Sequence, residues 1–251
     1  MRCRWMYLWL CLCLPLPALA SGPALSAADL RVMEVPGFLD AHPDLRYRKW
    51  AVDALHRHEL NTAMDYFRRA ARYADKPSQG YLAELYWYGV QMPADRALAH
   101  AWMVVAAERG YPMFVELRDR FAAGLTAEQR QRSQGIQQEL MAEYGDAVAK
   151  PRIAEVLRRA RQEMTGSRTA SQVNNMVITY GSGAGSGTIL GSEYYAPKYW
   201  DPAQYHLWQD ATWEKVPVGT VDVGLPQNLP ASSLEPVLPQ TQPPVPPSGN
   251  P

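Results

Sequence analysis

From about Asp44 to Met164 apolar residues recur at spacings of three and four, Arg and Glu fill the positions between, and Gly and Pro are sparse. That is the period of an amphipathic helix, so the stretch is predicted to be helical. Breaks at Lys76 to Gln79, Gly89 to Ala94, Gly110 to Pro112, Gly124 to Leu125 and near Gly145 divide it into helices of ordinary length. Thr126 and Gln129 have the spacing of a capping box, and Pro112 suits a first helical turn. Outside this array the pattern fails. Residues 21–40 are small and polar, with Pro23, Pro36 and Gly37, which predicts a poorly ordered, flexible leader. After Met164, Thr165 to Ser167 read as a turn, Val173 to Tyr180 as a strand, and Gly181 to Gly187 is a Gly/Ser run. Aromatic residues then crowd between 193 and 213. From Leu225 to Pro251 the chain is Pro-rich with too little apolar surface to offset ordering, and is predicted to be disordered or polyproline II.

Within the array, Ala63, Tyr66, Phe67, Ala70 and Ala71 recur 36 residues later as Ala99, Trp102, Met103, Ala106 and Ala107. Both sets lie along one helical stripe, an aromatic ring between small residues, so a neighbouring helix can approach closely at the alanines while the ring fills the space beside them. The linking residues are Leu82, Ala83, Tyr86, Gly89 and Asp95, and the second stripe ends at Gly110. This succession resembles the Sel-one-like repeats, a branch of the tetratricopeptide-like helix-pair solenoids. Their pattern is a Leu-Gly pair, a Tyr, a Gly, a loop with Asp, then Ala, Trp, Ala-Ala and Gly. Ala83 and Ala74 stand where that family has glycine, and the loop lacks a second glycine after Gly89. The resemblance covers one full repeat and one half repeat, from about Trp50 to Gly110. It implies an all-α fold: a short α-solenoid of antiparallel helix pairs over 41–164, followed by a mostly irregular segment over 165–224 with short strands and the tail 225–251. It also implies a concave face, on the helix carrying Leu82 and Tyr86, that holds a segment of a protein partner. Two repeats leave apolar faces to cover, so residues 41–57 and the helices after Pro112 are expected to cap the stack.

The first twenty residues alter the setting. Arg2 and Arg4 precede an apolar run from Trp5 to Leu16, and Ala18 and Ala20 precede Ser21. This is the layout of a secretory signal peptide over 1–20, cleaved between Ala20 and Ser21, and the run is too short for a membrane span. The bulky Leu8, Trp9 and Leu10 before Cys11 do not fit a lipoprotein processing site. Cleavage would remove all three cysteines, Cys3, Cys11 and Cys13, leaving 231 residues with 23 basic and 25 acidic side chains. The expected product is periplasmic or extracellular, without disulfides and slightly acidic. Basic residues interleaved with acidic ones, as in Arg118, Asp119 and Arg120, give no polyanion-binding stripe, so no nucleic-acid partner is expected.

No catalytic constellation accompanies this. His56 and His58 point apart on a helix, and His42, His100 and His206 are isolated, so no metal is expected. His58-Glu59 lacks a second histidine, Thr62 standing in its place. The Gly181 to Gly187 run has Ser186 where a dinucleotide loop needs glycine and no following Lys, and Ser182 and Ser186 lack the strand-turn-helix setting of a nucleophile. Glu84 and Glu193 are lone carboxylates assigned to the solvated surface. No cofactor is expected. The remaining feature is the aromatic group Tyr194, Tyr195, Tyr199, Trp200, Tyr205, Trp208 and Trp213. Two readings stand. The rings pack onto the solenoid, or Tyr194, Trp200 and Trp208 form a surface for peptidoglycan or another glycan. The sequence thus predicts a non-enzymatic, exported interaction module, with glycan binding as the alternative.

Overall fold

The computed structural model describes residues 25–164, 176–181 and 186–214. The expected signal peptide, the turn at Thr165 to Ser167, residues 182–185 of the Gly/Ser run and the Pro-rich tail lie outside them.

The array forms seven helices: α2 (Pro43–His56), α3 (Leu60–Ala71), α4 (Lys76–Tyr88), α5 (Arg96–Ala106), α6 (Pro112–Ala123), α7 (Ala127–Tyr144) and α8 (Asp146–Met164), preceded by α1 (Ala27–Glu34). Helices α2 and α3 form one antiparallel pair and α4 and α5 the next; α5 packs in turn on α6 and α7. The stripes read from the sequence are the seams. Ala63, Phe67, Ala71, Leu82, Ala83, Ala99, Trp102, Met103 and Ala106 share one core with Ala51 and Ala54 of α2 and Phe114 and Phe121 of α6. Aromatic contacts fill the spaces beside the alanines: Phe67 stacks on Tyr81 at 4.7 Å, and Trp102 meets Tyr144 of α7 at 4.7 Å. The far end of the stack is therefore capped by α6 and α7.

Local chemistry sets the helix ends. Asp75 and Asp95 cap α4 and α5 by accepting from the backbone N–H of Ser78 and Leu98, each at 3.0 Å. Thr126 and Gln129 make the reciprocal capping box at the start of α7. At Gly89 the chain turns left-handed with φ 65°, and a Cβ there would sit 2.8 Å from Met92 O and Ala94 N, so only glycine fits.

The N-terminal part differs from expectation. Residues 26–40 are not a loose leader: Ser26 and Asp29 form a capping box on α1, and Val32, Val35 and Phe38 are buried. Composition missed this because the partners lie at the opposite end of the sequence: Ile189, Tyr194, Tyr199 and Trp200 complete the same cluster. The segment after the array carries a hairpin of β1 (Val177–Tyr180) and β2 (Gly187–Leu190), with Val177 opposite Leu190 and Tyr180 opposite Gly187. Beyond the hairpin it is helical: α9 (Gly191–Tyr194), α10 (Pro197–Trp200) and the longer α11 (Pro202–Glu214). Among the described residues no helix is long and apolar enough to cross a membrane.

Candidate functional site

Among the described residues, an apolar groove of about 620 Å3 lies between the first helices and α11. Helix α2 supplies Leu45, Arg48, Lys49 and Val52, whose offsets of three, four and seven put them on one stripe. Leu30 and Met33 of α1, Pro77 and Tyr81 of α4, Phe114 of α6 and Trp213 of α11 close the other sides. Gly80 lets α4 and α6 approach here: a Cβ on it would lie 2.6 Å from Cε1 of Phe114. The cations at the groove are matched within the chain, and Glu34 adds a carboxylate to its lining. Arg48 donates to Asp75 at 2.5 Å and lies over the Trp213 ring at 5.6 Å, while Lys49 pairs with Asp53 at 2.6 Å. What remains open is mostly hydrocarbon and ring surface, with Leu30 half exposed at the lip.

Behind Trp213 and Pro77 lies a polar layer that fastens α11 to the stack. Tyr205 donates to Asp44, and Tyr111 to Asp210. Arg109 bridges the same elements, donating to both carboxylate oxygens of Asp146 at 2.7 and 3.0 Å and to the carbonyl of Ala74 at 3.1 Å. Lys76 is fully buried and donates to Val105 O at 2.9 Å and Glu108 at 2.7 Å, with Asp146 at 3.0 Å. Burial lowers the Lys76 pKa, against the pull of Asp146 and Glu108. Burial also opposes charge on Asp146, but Arg109 and Lys76 outweigh it and hold that carboxyl well below the usual range. Asp44 goes the other way: burial, reinforced by the charge of Asp75, pushes it up to about 7. His206, beside it, is pushed down to about 4 by burial.

An acid poised near neutrality beside a neutral imidazole could move a proton, yet the chamber they share measures about 10 Å3, room for about one water and no substrate. This layer is a fastening. Among the described residues no group of three His, Cys, Asp or Glu side chains is placed to hold a metal. His56 ends α2, and His58 sits in a left-handed turn with φ 61°, both exposed.

The repeat-motif residues are packing and turn positions. Leu82, Ala83, Ala99, Trp102, Ala106 and Ala107 are buried, Gly89 and Gly110 are left-handed turns, and Asp95 both caps α5 and accepts two bonds from Arg132. Tyr86 is half-buried and accepts from Arg68 at 2.8 Å. The helix carrying Leu82 and Tyr86 does line the groove, but through Pro77 and Tyr81. Leu82 is spent on the core and Tyr86 on α3.

The aromatic group resolves toward packing. Tyr194 and Trp200 are 7% and 4% exposed, with Phe38 edge-on to both rings, and Trp208 is half-buried against Tyr199 and Tyr205. Tyr194 and Trp200 line a depression with Asp40, Arg159 and Glu163. A sugar ring stacks on an open ring face, and Tyr194 and Trp200 leave little of theirs open. Glu193 is exposed as expected, whereas Glu84 is half-buried and its carboxyl is raised to about 7 by desolvation. A second aromatic surface was not anticipated: Tyr47 and Tyr66 lie nearly parallel with Trp50 edge-on to both, Arg46 over Tyr47 and Trp50 and Arg69 over Tyr47 and Tyr66. Its sequence signal was the i, i+3 pair Tyr47 and Trp50.

No family model matches this chain, and no curated protein matches it. Among solved structures, that of a protective antigen present in uropathogenic Escherichia coli strains displaying an SLR fold is similar over 53% of this chain, at 22% identity and a TM-score of 0.38. The chain spans 27% of that protein's length. A likeness of that extent carries no argument here, and the architecture rests on the helix pairs themselves. The chain is an all-α stack of antiparallel helix pairs, closed at one side by a C-terminal helical segment.

Proposed function

We propose that this protein is a non-enzymatic interaction module, exported from the cytoplasm, whose groove between α1, α2, α4 and α11 holds an apolar segment of a protein partner in the bacterial envelope. The observation that supports it is the groove itself. It is a cavity of about 620 Å3 walled by Leu30, Met33, Leu45, Val52, Tyr81 and Phe114, with its cations already paired within the chain. Volume and lining suit several apolar side chains, the arrangement by which helical and extended peptides lie in grooves. Export rests on the order of Arg2, Arg4, the apolar run and Ala18 to Ala20.

A photo-crosslinking residue at Leu30, on the groove lip, is expected to trap a single partner polypeptide in the envelope of the producing cell. The same residue at Leu207 of α11, more exposed than Leu30 and outside the groove lining, is expected not to. Val52→Glu should abolish the adduct while leaving the helical circular dichroism intact. Absence of any adduct at Leu30, or the same products at both positions, would refute the groove reading. N-terminal sequencing of the native protein should begin at Ser21; a retained Met1 would refute export by signal cleavage.

A further inference from the structure

His42 is wholly buried at the corner between α1 and α2, and both of its ring nitrogens face carbonyl oxygens. Nδ1 lies 2.7 Å from Phe38 O and Nε2 lies 2.8 Å from Tyr199 O, a residue 157 positions away. A carbonyl oxygen only accepts, so each contact is a hydrogen bond only when its nitrogen carries a proton. A neutral imidazole has one N–H and would set a bare lone pair against the second oxygen. Flipping the ring would put carbon atoms opposite both oxygens.

The ring's surroundings suit a cation. Phe38 stacks on it at 4.0 Å, the Trp200 ring lies at 5.0 Å and that of Tyr205 at 5.3 Å. The titratable and charged neighbours are occupied elsewhere. Asp44 and Tyr205 bond one another; Tyr199 and Lys198 both donate to Asp29; Asp40 pairs with Arg46 at the surface. Tyr194 packs across Phe38, and Glu163 and Arg159 of α8 line a depression with Tyr194 and Trp200.

We propose that His42 is an imidazolium ion at neutral pH, acting as a proton-dependent rivet between the α1–α2 corner and α10. Burial favours the neutral ring and, set against the two carbonyl contacts, still draws its pKa down to about 4; the donor geometry argues the other way. Only the charged ring satisfies two acceptors at bonding distance. Loss of its proton at alkaline pH turns one of the two bonds into a repulsion, releasing α10 and, one residue beyond it, the start of α11.

The test is side-chain 15N–1H correlation on the full chain labelled at histidine, recorded from pH 5 to 9, with the His42 signals assigned by His42→Gln or by contacts to Phe38 and Trp200. The expected result is two protonated nitrogens at pH 7, each with an observable N–H. A single protonated nitrogen at pH 7 overturns the proposal. Urea unfolding of the wild type against His42→Gln supplies a second readout. The proposal requires a folded-state pKa above the unfolded value, so the stabilisation by His42 should be full below about pH 6.5 and lost as pH rises, the ratio of unfolding constants changing roughly tenfold per pH unit through the window. A stabilisation absent at pH 5 that grows toward pH 7 has the opposite sign and overturns it as well. Should His42→Gln fail to fold, the wild-type spectra decide alone.

Discussion

Asp44 is the position where a conservative change should have the largest pH-dependent effect. Its carboxyl is 3% exposed beneath α11; one oxygen accepts from Tyr205 and Oδ1 has no hydrogen-bond partner among the described residues. Burial and the neighbouring Asp75 raise its pKa from 3.8 to about 7. At 1.36 kcal/mol per unit, that rise corresponds to about 4 kcal/mol. Between these two pH values the folded state holds a proton that the unfolded state has released, so stability falls as pH rises and levels off above pH 7. Asp44→Asn removes the titration and keeps the shape and the Tyr205 bond, but places an amide where Oδ1 stood, at a cost of about 1–3 kcal/mol for an unsatisfied donor. The wild type should therefore be the more stable protein at pH 4 and the variant the more stable at pH 8, the difference between them changing by about 4 kcal/mol. Urea denaturation at pH 4, 6 and 8, followed by tryptophan fluorescence, measures this directly. Wild-type and variant midpoints that run parallel across the series would refute a carboxyl titrating in that range.

Other positions give simpler expectations. Ala74 has φ 66° at a turn where the repeats it resembles use glycine, so Ala74→Gly should raise stability by about 1 kcal/mol, read as a higher thermal midpoint. Lys76→Met should cost about 3–5 kcal/mol by leaving Glu108 and Asp146 short of a buried counter-ion, visible as a lowered denaturant midpoint with unchanged slope. Ala106→Leu, on the fully buried stripe of α5, should overpack the contact by about 1–3 kcal/mol in the same assay.

The helical array was legible because its information is local. The stripes of Ala63 to Ala71 and Ala99 to Ala107, the box at Thr126 and Gln129 and the glycine at 89 each specify a geometry within a few residues. What stayed hidden depends on residues far apart in sequence. Val32, Val35 and Phe38 are too few to signal a buried face until Tyr194, Tyr199 and Trp200 arrive to cover them. The Ser26–Asp29 capping box was present in the sequence, but among Pro23, Pro36 and Gly37 it carried little weight. The concave face was placed on α4 from the repeat pattern, yet which side of α4 is free is decided by α1, α6 and α11, which lie outside the repeats. The buried ions Lys76, Arg109 and Asp146 had no sequence signal at all, since charged residues on helices are ordinarily read as solvated.

The bonds from α10 and α11 back to α1 and α2 also bear on how the chain reaches its fold. A helical-repeat stack held only by neighbouring layers can nucleate anywhere and fray from its ends, each layer contributing its own increment. Here Asp29, His42 and Asp44 wait for Tyr199 and Tyr205, some 157 to 170 positions downstream. The first layers can form early, but their outer face stays uncovered until the last helix is made. Closure then converts a series of semi-independent layers into one cooperative unit, at the expense of a slow long-range step. During synthesis, Phe38 and its neighbours stay uncovered until Tyr199 and Trp200 are made, an interval in which a chaperone would have its natural substrate.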